Sequence, residues 1–182
     1  MIGCLIGASS LLFIDTDKAE RLKRAAEARD ACAAIVTEAA EALGAKRATL
    51  WLLGEGDKLS PMCRCGNPPL VDGAEQNAAM TVRPNSTFER VLRTKEPLRT
   101  TEANEGGGQF FRRVDRVLLQ DKTRSVVLAP VLGKDGAPIG ILEVANKRGE
   151  VGGETVPFDH ADLRVLSMAA ANASGAVGRV EG

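Results

Sequence analysis

From Asp17 to about Leu43 the chain runs without glycine or proline, and Leu22, Ala26, Arg29, Ala33, Val36, Ala40 and Leu43 recur at alternating intervals of four and three. That spacing lays them along one stripe of a helix, a heptad seam with one charged interruption, and Gly44 supplies the stop. The same spacing returns at the other end in Leu163, Leu166, Ala170, Ala173, Val177 and Val180. A long helix is therefore predicted at each end. Both seams are rich in alanine, which offers little apolar area but permits close backbone approach. The two helices are expected to pair on one sheet face, to associate with a second copy, or to use one stripe for each.

Between them the period changes to two. "RATLWLLG" (47 to 54), "KLSPMCRC" (58 to 65), "MTVRP" (80 to 84), "SVVLAPVLG" (125 to 133) and "APIGILEVAN" (137 to 146) alternate as strands do, and Leu98 to Thr100 reads as a short one. Asp135-Gly136 turns the fourth long run back into the fifth as a hairpin. Two short helices interrupt the strands. Ser86 followed three residues later by Glu89 is a capping box for a helix ending near Lys95, and "GGGQFFRRVDRVLLQ" places Phe110 or Phe111, Val114 and Leu118 on one side. The order specifies an α+β fold: an antiparallel sheet with the long helices on one face and short helices and loops on the other. Residues 1–16 form an apolar N-terminal segment and residues 17–182 a single domain.

Composition removes several classes. Lys+Arg and Asp+Glu balance at 24 each, and the aromatics are five Phe and one Trp with no Tyr, so neither a global field nor stacking platforms favour nucleic acid. The apolar run in "MIGCLIGASSLLFID" is too short to span a bilayer, lacks a basic leader and reads as a docking segment or the edge of a longer protein. Cys4, Cys32, Cys63 and Cys65 show no disulfide framework, which points to a reducing, cytoplasmic setting. Cys63 and Cys65 share one strand face as small apolar side chains, and the single histidine, His160, supplies no metal cluster. Neither a Gly-x-Ser-x-Gly elbow nor a phosphate loop occurs, so no enzyme is expected.

The stretch "FERVLRTKEPLRTTEANEGGGQFFRRVDRVLLQDKTRSVVLAPVLGKDGAPIGILEVANK" resembles the central part of a GAF domain, most closely the GAF domains of cyclic-nucleotide phosphodiesterases. The similarity covers roughly residues 20 to 180 and lies in the order and spacing of its pieces. It implies a structural latch: Asn146 and Lys147, a loop, Phe158 and Asp162 match that group's signature, with a buried Lys–Asp ion pair, while Leu163 replaces the final Glu. It also implies a ligand pocket between the sheet and the short helices. Candidate ligand-binding residues are Phe110, Phe111, Arg112, Arg113, Thr123, Ser125 and Glu143. Glu143 enters by alternation, since Leu142 and Val144 suit the long helices and leave Ile141 and Glu143 for the other face. Arg112 and Arg113 stand beside a helix start whose free N–H groups favour phosphate.

The functional expectation is a non-enzymatic regulatory or sensory module. It binds a small molecule, with cyclic GMP or cyclic AMP the leading candidates, and forms a homodimer or meets a partner protein through its terminal helices. The alternative is a ligand-free scaffold or interaction subunit. Free methionine sulfoxide reduction, known for some small GAF proteins, would need a nucleophilic and a resolving Cys beside the pocket, and the later segments contain none. Tetrapyrrole binding is disfavoured because His160 falls at a helix start.

Overall fold

The computed structural model describes residues 16–66, 79–101, 123–150 and 153–178. In chain order these form α1 (Thr16–Ala42), β1 (Ala45–Gly54), β2 (Lys58–Gly66), β3 (Met80–Thr81), α2 (Thr87–Thr94), β4 (Leu98–Thr100), β5 (Val126–Leu132), β6 (Pro138–Arg148), β7 (Thr155–Val156) and α3 (His160–Val177). The strands make one sheet in the order β3-β2-β1-β6-β5-β4, with β7 added to the end of β6. Every pairing is antiparallel.

The central pair, β1 and β6, is buried on both faces, which is why its alternation carries two different cores. On one face Ala48, Leu50, Leu142 and Val144, with Val127, Ala129 and Val131 of β5, meet Cys32, Val36, Ala39 and Leu43 of α1 and Leu166, Ala170 and Ala173 of α3. On the other, Trp51, Leu59, Val126, Leu128 and Ile141 meet Phe88 and Val91 of α2. Trp51 and Phe88 pack edge to face with ring centroids 6.2 Å apart. Gly140 is obligatory in this arrangement, because a Cβ there would run into the backbone oxygen of Trp51 on the neighbouring strand. The long helices thus share one sheet face and α2 takes the other, as the periodicities predict.

Turn chemistry follows the sequence. Gly44 ends α1 at φ +58°, and Ser86 caps α2 by accepting from the Glu89 N–H at 3.1 Å. At the Asp135-Gly136 hairpin, Gly136 has φ +75° and the Asp135 carboxylate accepts from the Ala137 N–H at 2.9 Å. Strand β3 is shorter than "MTVRP" suggests, because Pro84 and a left-handed Asn85 (φ +63°) lead at once into the α2 cap.

The α1 seam departs from expectation. Only its second half is buried: Val36, Ala40 and Leu43 lie in the core, whereas Leu22, Ala26, Arg29 and Ala33 are exposed. The buried line runs through Ala28, Cys32, Val36, Ala39 and Leu43, since packing on the sheet selects a 3.6-residue stripe, while residues 17–24 of α1 are exposed. Val36 and Leu166, natural choices for an association seam, are fully buried within the monomer. The helix expected around residues 109–118 lies outside the described residues, as do residues 1–15.

Candidate functional site

Parity along β1 decides the chemistry. If Ala48 and Leu50 face the long helices, then Arg47, Thr49 and Trp51 face the other way, and all three are buried. In register, Thr49 stands opposite Glu143 on β6 and opposite Arg64 on β2, so a polar row crosses three strands. The Trp51 indole Nε1–H donates to Glu143 Oε2 at 2.7 Å, and an Arg47 guanidinium nitrogen lies 3.4 Å from Glu143 Oε1. That guanidinium also donates to the Thr123 hydroxyl. Arg47 is 3% exposed and Glu143 1%, so this is a carboxylate and a guanidinium held out of water and satisfied by each other and by neutral polar groups. Arg64 flanks them. Burial, with the nearby Arg47 charge, pulls its basicity down from the ordinary guanidinium value, while Glu143 opposes the shift.

The latch sits at the far end of β6. Asn146 adopts the left-handed conformation (φ +60°), which turns its side chain toward the segment leading into β5. There Oδ1 accepts from the N–H groups of Arg124 at 2.8 Å and Ser125 at 3.4 Å, while the Asn146 N–H donates to the Ser125 carbonyl. Lys147 Nζ lies 2.6 Å from Asp162 Oδ2, and the two side chains are 25% and 10% exposed. Asp162 also accepts from the Asp159 N–H at 2.7 Å, and Asp159 in return accepts from the N–H groups of Ala161 and Asp162, a reciprocal capping box at the start of α3. Those backbone N–H groups, Asp162's foremost, with Lys147 and Arg164 nearby, hold the Asp159 carboxyl below the usual carboxylate range. Phe158 is buried in the helix-side core, and its carbonyl accepts from Arg99 on β4 at 3.1 Å. The latch therefore joins three elements: the approach to β5, the end of β6 and the start of α3.

Of the residues predicted for the pocket, the structure brings Thr123 and Glu143 together through Arg47. Ser125 is buried and its hydroxyl has no hydrogen-bond partner among the described residues. Phe110, Phe111, Arg112 and Arg113 lie outside the described residues. Arg47, Trp51 and Arg64 were not anticipated, although the alternation of "RATLWLLG" already places Arg47, Thr49 and Trp51 on one face. The described cysteines lie on the opposite side. Cys32 and Cys63 are in the helix-side core, and the Cys65 thiol points to the Val36 carbonyl of α1 at 3.5 Å. Burial pushes the Cys32 and Cys65 thiols up from their ordinary value.

Comparison with known proteins agrees with this architecture. The sequence model of the GAF domain matches residues 27–177. The GAF domain of PixJ from Thermosynechococcus elongatus, in its blue-light absorbing form, superposes with a TM-score of 0.67 at 14% identity, covering 88% of this chain and 90% of that one. Residues 122 to 287 of a methyl-accepting chemotaxis protein give 0.67 at 15% identity, covering 90% and 95%. The type II free methionine-R-sulfoxide reductase of Thermoplasma acidophilum gives 0.61 at 16% identity, covering 85% and 94%. Among curated protein sequences, none matches the chain.

Proposed function

The chain belongs to the GAF domain family, and from that premise we propose that it is a non-enzymatic regulatory module that takes a small ligand on the sheet face opposite its long helices. The observation that carries this reading is the buried polar cluster of Arg47, Glu143, Trp51 and Thr123 on that face. Placing a carboxylate and a guanidinium inside a core costs solvation free energy that apolar residues would not incur. A recognition face for a polar ligand gives that cost a use. Thr123, Ser125 and Glu143 are candidate contacts, with Phe110, Phe111, Arg112 and Arg113 in the segment preceding β5.

The first ligand to test is a purine cyclic nucleotide. The order of "EPL", "TRSVVLAPV" and "GILEVANK" is similar to that in phosphodiesterase GAF domains, and Arg112 and Arg113 would meet the cyclic phosphate. Calorimetry with cyclic GMP and cyclic AMP tests it. A micromolar dissociation constant, about −8 kcal/mol, is expected, with weaker binding when Arg112 and Arg113 are replaced together. No heat and no melting shift at about millimolar nucleotide would remove these ligands.

A second reading, a ligand-free scaffold, is favoured by one feature: both oxygens of Glu143 already have partners within the chain, the Trp51 indole and Arg47. A reductase gains no support from the described cysteines, since Cys32 and Cys63 are buried and Cys65 half-buried toward the long helices, and burial disfavours the reactive thiolate. Self-association or a protein partner at the terminal helices completes the regulatory reading. Among the described residues no helix is long and apolar enough to cross a membrane.

A further inference from the structure

On the sheet face away from the long helices, a groove of about 460 Å³ opens at the end of β1 farthest from the polar cluster, walled by Leu53, Val82, Leu92, Pro84 and Pro138. Leu53, Val82 and Leu92 are partly buried and pack against the core beneath α2, so the groove lies over an incompletely covered edge of that core. Its walls are tied together. The Val82 N–H donates to the Asp57 carbonyl at 2.8 Å, which fastens the approach to α2 onto the β1–β2 hairpin, and Glu89 pairs with Arg93 at 2.9 Å on the rim. Leu53 is six residues along β1 from Arg47, about 20 Å, so the groove is separate from the Arg47–Glu143 face.

The chain carries an apolar segment of matching character. Residues 1–14 have no charged side chain, and Ile2, Leu5 and Ile6 are separated from Leu11, Leu12, Phe13 and Ile14 by the short run Gly7-Ala8-Ser9-Ser10. Its attachment point is near enough. Arg24 of α1 and Lys134 of the β5–β6 hairpin line one groove on the helix side, and Pro138 of the same hairpin lines the groove beside α2. From Thr16 to Arg24 is eight residues, about 12 Å of helix, and crossing from the helix layer through the sheet to its other face adds about 20 Å at about 10 Å per layer. Fifteen extended residues reach about 50 Å, so a path of about 32 Å takes nine or ten of them and leaves about the first five for the groove.

We propose that residues 2–6 of the chain's own N-terminal segment dock in this groove, with Leu5 and Ile6 against Leu53, Val82 and Leu92. The segment is uncharged, Glu89 and Arg93 neutralise each other, and Asp57 is exposed, so docking buries no unpaired charge. The residues that follow run around the hairpin ends and back along α1. On that path Leu11–Ile14 give Leu22, six residues into α1 and 63% exposed among the described residues, an apolar neighbour. Because the segment is tethered, its effective concentration at the groove is of the order of millimolar, and a small apolar contact suffices to fill it. A second copy of the chain or a separate protein lacks that advantage.

The test is disulfide trapping in the full chain, between native Cys4 and a thiol introduced at the groove by Arg93→Cys. Arg93 is exposed in the last turn of α2 and its ion pair is a surface one, so the variant keeps its fold. Mild oxidation at micromolar protein is expected to join Cys4 to the new thiol within one chain, as read by peptide mapping without reductant. Arg148→Cys, an exposed position at the far end of β6, is expected to trap Cys4 at least tenfold more slowly. Adding Leu5→Asp and Ile6→Asp to Arg93→Cys is expected to slow trapping at least tenfold. A link between two chains would overturn the proposal by placing the segment on a second copy. No trapping, equal rates at the two positions, or trapping untouched by Leu5→Asp and Ile6→Asp would overturn it as well, leaving the groove to another occupant. A second measurement keeps the groove intact: in ¹⁵N spectra of the full chain, Leu5→Asp with Ile6→Asp is expected to shift the amides of Leu53, Val82 and Leu92 relative to wild type, and unchanged amides would contradict docking there. No ligand enters either measurement, so the cyclic-nucleotide proposal stands or falls separately.

Discussion

Replacing Asp162 by Ala removes two interactions at once, and their sizes can be worked out separately. The carboxylate holds Lys147 Nζ at 2.6 Å and accepts the Asp159 N–H at 2.7 Å. The second interaction is half of the capping box, and losing a cap costs about 1 kcal/mol. The ion pair falls between the exposed case, worth about 0–1 kcal/mol, and full burial, where breaking a pair costs about 3–5 kcal/mol. With Asp162 10% and Lys147 25% exposed, the ammonium can reach water once released, so about 1–2 kcal/mol is reasonable. Asp162→Ala should therefore destabilise the domain by about 2–3 kcal/mol. Asp162→Asn, which keeps an acceptor for the Asp159 N–H, should recover about 1 kcal/mol. Urea unfolding followed by the fluorescence of Trp51, the only tryptophan, gives these values, and a double-mutant cycle with Lys147→Met isolates the pair. Melts of Asp162→Ala and wild type that coincide within about 0.5 kcal/mol would refute the reasoning and make the latch a surface contact.

Glu143→Ala deprives the Trp51 indole of its acceptor and Arg47 of its carboxylate inside the core, and should cost about 3–5 kcal/mol in the same urea assay, with altered Trp51 emission in the folded state. The Asp159 carboxyl, held below its ordinary range by backbone N–H groups, contributes stability that is fully present above its unfolded pKa of about 3.9 and is lost as pH falls through the lower folded value. The stability difference between wild type and Asp159→Asn should accordingly shrink as pH falls below about 4 in acid titrations of the urea midpoint. Cys32 and Cys65, with thiols raised by burial, should react with a thiol reagent at pH 8 far more slowly in the native protein than in urea, as followed by absorbance.

Much of this fold was legible because each element carries a strong local signal. The alternation in "APIGILEVAN" separates Leu142 and Val144 from Ile141 and Glu143, and the structure puts the two pairs in different cores or clusters. Ser86, Glu89, Gly44 and Asp135-Gly136 act through backbone conformation and capping alone, so sequence suffices for them. The latch geometry was legible through family resemblance, since nothing local in Lys147 announces a partner fifteen residues away. The Arg47–Glu143–Trp51 cluster was harder. Its members are separated by up to 96 residues, and the pairing emerges only when β1 is laid beside β6 in register. The α1 seam misled for a related reason: heptad spacing reports that a stripe is apolar, but whether sheet, solvent or another chain covers it depends on how far the sheet extends beneath the helix.

The central claim is that the face bearing Arg47, Glu143 and Trp51 receives a ligand, and Trp51 offers a single reporter for it. In a ¹⁵N-labelled sample the one indole N–H, which donates to Glu143 Oε2, gives one cross-peak in its own region of the spectrum. Titrating cyclic GMP and cyclic AMP to about millimolar should move that peak in a saturable way, with the same dissociation constant that calorimetry returns. An indole peak that stays in place while either nucleotide binds, or through the whole titration, would contradict the claim for these ligands on this face.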